Sequence, residues 1–415
     1  MREGLYSIVG STGIGEVADT YAVQGALPSA VVMPESEAEV AALMEYANGA
    51  RYPCVVAGSG THLDLLEPPT GDWWLLSTRR LARVVDYSPQ DLVLTVGVGM
   101  TLQAVQELLR PHNQHLPWNP PLPEQATIGG IVASNRNGSW RYRFGTPRDR
   151  LLAIRAVRTD GIPFKSGAKV VKSVAGYDLH RLLCGSWGTL AVITEITLKV
   201  QPMPQAFEAV GWRVAWDALE PTLATLMRMT LEPDGITVVA LKAAPDPALQ
   251  PLTLSEPPQP LVLLEFSGRE EAVAWQIQSL REQGYPLTSI PAEALQALRD
   301  YLAPRRHALL LQVLMRPSEV APMLQEWSAL PNVSLIAYAG SGVVYVAADE
   351  AGLTEALVQR CRALRHKYRV LRGAKWLHAQ TGGELPQLHL SVGELRLMRQ
   401  LKTVLDPKSA LPNLV

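Results

Sequence analysis

Val40, Leu43, Met44 and Ala47 recur at helical spacing and predict a helix over 34–50, with Ser36 and Glu39 placed for a capping box. Pro53 then opens a short apolar strand, Cys54, Val55 and Val56, which runs directly into a stretch of small residues. A second strand over 92–98 passes through Gly97 and Gly99 to a helix that Thr101 can cap and that Leu102, Val105, Leu108 and Leu109 bury. The segment 116–123 is too rich in proline for regular structure. A strand over 151–158 meets a hairpin signal at Asp160 and Gly161, and Asp178 is placed to cap a short helix over 179–184 that Gly185 stops. Residues 190–200 alternate, with Val192, Ile196, Leu198 and Val200 on one side and Glu195, Thr197 and Lys199 on the other, as in a half-buried strand.

After the break at residues 201–204 the rhythm changes. Strands over 236–241, 261–266, 308–314, 333–338 and 343–347 alternate with helices over 216–229, 270–282, 318–330 and 353–369, and a last helix covers 394–405. The Pro- and Ala-rich stretch 242–260 is the one long loop of this part. Such an order predicts an antiparallel sheet backed by helices, an α+β domain.

Length and composition narrow the choice. The 415 residues allow two or three domains, and 47% hydrophobic with 19% charged residues is a globular composition. With 38 basic and 39 acidic residues and no basic run, the chain lacks the footprint of a nucleic-acid binder. The three cysteines, Cys54, Cys184 and Cys361, have no spacing for a zinc site, an iron–sulfur cluster or a disulfide framework. The longest apolar run, 308–315, falls far short of the roughly 18 residues of a bilayer span and reads as a buried strand. With no signal-peptide pattern at the N-terminus, the expectation is a cytoplasmic protein without an integral membrane segment, which partners could bring to a membrane surface.

Three glycine-rich loops carry the candidate chemistry. The first is Ala57, Gly58, Ser59, Gly60, Thr61 and His62, where successive amides can face one anion such as a pyrophosphate. The second holds Thr127, Ile128, Gly129, Gly130, Ala133 and Ser134, with Gly138 beyond, and its paired glycines permit close contact with a planar ring or a phosphate. The third, Gly188 and Thr189 after Gly185, feeds the strand that carries Ile193. One such loop alone is more often an ordinary turn; three, each beside a predicted strand or helix, point to a nucleotide cofactor. The run Gly10, Ser11, Thr12, Gly13, Ile14, Gly15 imitates a dinucleotide fingerprint but lacks a proper strand before it and an amphipathic helix after it, so it reads as a loop. No Lys-Ser/Thr follows Gly58, which argues against a nucleoside triphosphatase.

In order and content these loops resemble the FAD-binding domain of the vanillyl-alcohol oxidase/p-cresol methylhydroxylase (PCMH) superfamily, and the likeness covers about residues 30–204. The run from Lys169 through Val174, Gly176, Tyr177 and Asp178 to Gly185, Trp187, Gly188 and Thr189 is most similar to the glycolate oxidase group. In that group a flavin-binding E subunit accompanies a catalytic D subunit and an iron–sulfur F subunit. The resemblance implies FAD as cofactor, held by the loop residues just named. It also implies a PCMH-type two-subdomain FAD-binding domain at 30–204, an α+β cap or substrate domain at 205–370, and terminal segments at 1–29 and 371–415.

Two departures bear on function. Catalytic relatives that act on 2-hydroxy acids carry two histidines, commonly metal ligands, around a glycine turn, and the matching positions here are Tyr338 and Tyr345. A phenol is a poor partner for imidazole-type metal ligation, so no metal is expected there. The ending that includes Asp406, Pro407, Pro412 and Asn413 is a degraded version of the family's. Among single residues, His62 reads as a non-covalent contact to the cofactor and Cys184 as a small core residue. Arg305, Arg306 and His307 read as a solvated loop, and Trp73, Trp74, Trp118 and Trp140 as packing residues.

The expectation is therefore the FAD-binding subunit of a glycolate oxidase or dehydrogenase complex. The complex would oxidise glycolate to glyoxylate, with electrons passed through flavin to an iron–sulfur subunit, beside a catalytic flavoprotein subunit. A self-sufficient FAD-dependent oxidoreductase of another small hydroxy acid or alcohol is the alternative, followed by a non-catalytic scaffold. No catalytic base is legible.

Overall fold

The computed structural model describes residues 2–169, 177–242, 246–253, 255 and 258–414; the stretch 170–176, part of the run most similar to glycolate oxidases, lies outside the described residues. Internal contacts divide the chain into two units. One comprises Met1–Asn137, Thr146–Met203 and Leu390–Val415, and the other Gly138–Gly145 and Pro204–His389.

The first unit holds two main sheets. In the smaller, the strands Ile14–Gly15, Val31–Val32, Trp74–Ser77 and Cys54–Ala57 lie side by side in that order, with the last three parallel. The helix Glu37–Ala50 makes the crossover, and its buried residues are Val40, Leu43, Met44 and Ala47, the predicted stripe. Ser36 caps it by accepting from the Glu39 amide, whereas the Glu39 carboxylate turns back one residue further, to the Glu35 amide. The helix Arg2–Val9 precedes the run at residues 10–15, which forms a 3-10 turn and then the edge strand Ile14–Gly15 rather than loop throughout.

The larger sheet is antiparallel, in the order Val84–Ser88, Val93–Gly97, Val192–Lys199, Leu151–Val157, Pro163–Gly167. The strand Val192–Lys199 occupies its centre and is buried on both faces, not on one. Its buried threonines are tolerated because each finds a partner. Thr197 and Thr95 share a hydroxyl hydrogen bond of 3.0 Å, and Thr194 donates to the Glu37 carboxylate at 2.8 Å. Arg155 also bonds Glu37 and holds its carboxyl below the usual range. The short helix Leu179–Leu183 is not capped by the Asp178 side chain; Ser166 of the adjoining strand accepts from the His180 amide instead, at 3.0 Å.

The C-terminal helix Val392–Leu405 belongs to this unit and opens with a reciprocal capping box between Ser391 and Glu394. Near its end Lys402 reaches inward, donating to the carbonyls of Thr189 (2.8 Å) and Leu411 (3.0 Å) and pairing with the fully buried Asp406 carboxylate. Asp406 in turn accepts from the amides of Ala410 and Leu411. The clasp replaces the solvation of two charges with a complete set of hydrogen bonds.

The second unit is built on one nine-stranded antiparallel sheet, as the alternation after residue 204 predicts. Its order is Thr288–Ser289, Ala206–Arg213, Leu261–Gly268, Gly235–Ala240, Val333–Tyr338, Val343–Ala348, Leu309–Leu314, Lys367–Arg372, Leu388–His389. One face packs Val238, Leu264, Phe266, Leu311, Leu335 and Val346 against the helices Leu219–Leu226, Glu270–Glu282, Pro317–Trp327 and Glu355–Ala363. The helix expected over 353–369 ends at Ala363. Tyr368 and Val370 then take up strand alternation, because they sit opposite Val313 and Leu311 and bury on the helix-covered face.

The other face carries polar groups. The segment Gly138–Gly145, with its short helix Arg141–Phe144, is fixed to this unit through Glu265 and Asp234. Ser139 and Trp140 donate to the two oxygens of the Glu265 carboxyl, the indole at 2.9 Å, and Arg143 donates to Asp234 at 2.9 Å. Burial pushes the Glu265 carboxyl up from 4.5 to about 7, which outweighs the hydrogen bonds that favour its charged form.

Two outcomes follow for stability. Replacing Lys402 with Met strands the buried Asp406 charge and is expected to lower unfolding free energy by about 3 kcal/mol, read from the urea midpoint. For Glu265 the folded carboxyl keeps its proton to higher pH than the unfolded one. The native state therefore loses stability as pH rises from about 4.5 to about 7, by on the order of 3 kcal/mol. Glu265→Gln removes that loss, so the stability difference between variant and wild type should grow across this window and stay flat above it.

Candidate functional site

The three glycine-rich loops meet in the first unit around a cleft of about 860 Å³ counted to its open mouth. Each is placed by hydrogen bonds to its neighbours. The first loop leaves the strand Cys54–Ala57 and is held by Ser77 and Thr78 hydroxyls that donate to the carbonyls of Gly58 (3.1 Å) and Ala57 (3.2 Å). The second begins at Thr127, whose hydroxyl caps the helix Ile128–Ser134 by accepting from the Gly130 amide, while the Ile128 and Gly129 amides donate to Met100 and Val98 carbonyls. The third is tied to the second by the Trp187 and Gly185 amides, which donate to Ala133 and Val132 carbonyls.

Small residues make this convergence possible. A Cβ at Gly58 would lie 2.1 Å from the Thr127 hydroxyl, so the first two loops touch only because residue 58 has no side chain. Gly60 has φ +77, and a side chain there would also meet the Thr20 carbonyl at 2.1 Å.

Ala57, Gly58, Ser59, Gly60, Thr61, His62, Thr127, Gly129, Gly130, Ala133, Ser134, Gly188 and Ile193 all line the cleft. Three sequence candidates lie elsewhere. Ile128 points into the core, fully buried among Val98, Leu102 and Val132. Thr189 turns its hydroxyl back to the Ser186 carbonyl at 2.6 Å. Gly138 belongs to the second unit.

Sequence reasoning missed several lining residues, among them Thr78, Pro120, Pro121, Trp187 and Arg136. The prolines come from the segment with no predicted structure, and Trp187 was visible as the bulky residue between Gly185 and Gly188. Arg136 had no signal, since an arginine after a glycine-rich run reads as solvent-exposed. It is 7% exposed instead, and its guanidinium donates to His62 Nε2. The other ring nitrogen of His62 lies 2.9 Å from the Thr61 hydroxyl.

Among the described residues, Arg136 is the only permanently charged side chain on the wall of the cleft, and no carboxylate lines it. A wall of backbone amides, hydroxyls and one guanidinium beside apolar Val56, Leu66, Val98 and Ile193 suits a ligand that is anionic in one part and flat and apolar in another. The cysteine near it has no nucleophilic character: burial pushes the Cys184 thiol up to about 12, and it donates to the Asn135 side chain at 3.4 Å. Arg305 and Arg306 are exposed in the second unit, and His307 is buried there against the Tyr301 carbonyl.

Residues 28–166 match the family described as FAD binding domain. The chain is 27% identical over 420 residues to a mitochondrial D-lactate dehydrogenase (cytochrome) of Arabidopsis thaliana, spanning 92% of this chain and 72% of that protein. It is 35% identical over 254 residues to glycolate oxidase subunit GlcE of Escherichia coli (strain K12), spanning 60% of this chain and 70% of that protein. Among solved structures, p-cresol methylhydroxylase with substrate bound superposes with a TM-score of 0.69 at 12% identity, over 99% of this chain and 96% of that one. An alkyldihydroxyacetonephosphate synthase superposes with a TM-score of 0.63 at 18% identity, over 92% and 75%. These two share the fold.

The cradle at Gly58 fits FAD and gives a direct test. Gly58→Ala forces the first loop away from Thr127 and is expected to lower FAD affinity by at least about tenfold, with the far-ultraviolet circular dichroism unchanged. Flavin retained per chain after gel filtration is the measurement.

Proposed function

The chain belongs to the PCMH-type FAD-binding superfamily, and from that membership we propose that it is a self-sufficient FAD-dependent oxidoreductase of a small 2-hydroxy acid. The observation that carries this reading is the extent of the likeness to D-lactate dehydrogenase. It runs over 92% of the chain and so includes the second unit as well as the flavin-binding one. Further relatives point to the same substrate chemistry, including a D-lactate dehydrogenase of Archaeoglobus fulgidus and a D-2-hydroxyglutarate dehydrogenase of Xanthomonas citri. Each of those two spans only 38% of its relative's length, within the part of the chain they share.

Bound FAD supplies a two-electron acceptor, to which the carbon bearing the hydroxyl gives a hydride while the hydroxyl gives up its proton. The chain's own part is to hold and polarise. Gly58, Ser59 and Gly60 would offer amides to the pyrophosphate, and Arg136 and His62 would supply the complementary polarity. The aliphatic wall of Val98 and Ile193 would pack a flat ring and exclude water.

The 35% identity to glycolate oxidase subunit GlcE favours a second reading, in which the chain works as the flavin subunit of a complex with a catalytic flavoprotein and an iron–sulfur protein. Anaerobic titration of the FAD-loaded chain with glycolate, D-lactate, L-lactate and D-2-hydroxyglutarate separates the two. Bleaching of the visible flavin bands by one of them, with the chain alone, is the expected result. Bleaching only after partner subunits are added would select the second reading. Bound flavin that no hydroxy acid reduces, with or without partners, would overturn both.

A further inference from the structure

The polar face of the nine-stranded sheet carries a row of side chains that the flavin cleft does not use. Cross-strand register places Tyr345, Gln312 and Arg369 next to one another on three neighbouring strands, since Gln312 lies opposite Tyr345 on one side and opposite Arg369 on the other. Directly opposed residues of an antiparallel pair project to the same face. Gln312 and Tyr345 are buried, and the Gln312 amide donates to the Tyr345 hydroxyl at 2.8 Å, which fixes the phenol beside the arginine. Tyr338 packs edge-on against Tyr345 with ring centroids 5.4 Å apart.

Arg369 is half-buried and, among the described residues, has neither a carboxylate nor a hydrogen-bond acceptor as partner. Burial pushes its guanidinium below the ordinary value; the neighbouring Tyr345 works against that shift, and Arg141 adds repulsion of like sign. A desolvated cation beside a second cation is costly unless an anion joins them. Strand positions in the middle of a sheet have no structural need for such a group, and the helix-covered face of the same strands is uniformly apolar at these rows.

We propose that Arg369, positioned by Gln312 and Tyr345 and supported by Arg141, is a recognition site for the carboxylate of a small monoanionic acid. The planar guanidinium takes a carboxylate through two parallel hydrogen bonds, which orients the acid as well as binding it. The site rests on the hydroxy-acid reading for its biological ligand, and it offers a metal-independent means of holding an anion where Tyr338 and Tyr345 stand in place of paired histidines.

The test uses the full FAD-loaded chain and the non-oxidisable acid oxamate, with inorganic phosphate as comparator, followed by calorimetry. Wild type should bind oxamate, Arg369→Gln should weaken it about a hundredfold, and Arg369→Lys should recover part of the loss, with flavin content unchanged. Gln312→Leu should weaken it less and provides a second probe should Arg369→Gln fail to fold. Oxamate binding by wild type that none of these substitutions alters, or no oxamate binding by wild type, would overturn the site. Phosphate that binds as tightly as oxamate and depends equally on Arg369 would overturn the carboxylate assignment. The site and the proposed activity fail separately. A hydroxy acid oxidised with unchanged KM by Arg369→Gln removes the site and leaves the activity. Arg369-dependent oxamate binding with no hydroxy acid oxidised does the reverse.

Discussion

The flavin site depends on a contact between a glycine and a threonine hydroxyl. Gly58 and Thr127 are 69 positions apart in sequence, and any side chain at residue 58 would occupy the space of the Thr127 hydroxyl. That hydroxyl is already committed as the cap of the helix Ile128–Ser134, and the helix start is itself hydrogen-bonded to the end of the strand Val93–Gly97 region through Val98 and Met100. The close approach therefore joins the parallel sheet to the antiparallel one inside the first unit. The cleft is the space left between them, lined by backbone because bulk was excluded from the loops.

Charge is arranged differently in the two units. In the first, the buried Lys402 is paired with Asp406, with extra hydrogen bonds that offset lost hydration, and the partly exposed Arg155 is paired with Glu37. Among the described residues the wall of the cleft has one cation and no acid, a polarity that complements a pyrophosphate. In the second unit the polar face of the sheet holds Glu265 with its proton retained to about pH 7 and Arg369 without a carboxylate. A single sheet thus separates an apolar face, which stabilises the fold through the helices, from a polar one that holds Glu265 and Arg369.

Much of this architecture was legible in the sequence. The helix Glu37–Ala50 buries the four residues its periodicity named, and the helix Glu270–Glu282 has the predicted bounds. Five strands of the large sheet were visible as apolar runs, because a strand covered by helices must be apolar on at least one face. Less legible were elements with mixed polarity. The strand Lys367–Arg372 alternates charged and apolar residues and continues a helical pattern from the preceding turn, so its register against Leu309–Leu314 decides its state. The strand Val192–Lys199 looked half-exposed because threonine and glutamate are polar, yet distant Glu37 and Thr95 satisfy its threonines and Arg83 pairs with Glu195 at the surface.

By itself the sequence determined the α+β class, the three loops and the flavin they imply, because glycine spacing beside strands is a local constraint that survives without knowledge of the fold. Only the tertiary structure decided which residues face the cleft, since the sides of a helix or turn differ by what packs behind them: Ile128 and Thr189 turn inward while Arg136 lines the cleft. It alone decided, too, that Arg369, Gln312 and Tyr345 stand in one row. They come from three strands that are adjacent through hydrogen bonding and not through the chain, and pairing of that kind leaves no periodicity to read.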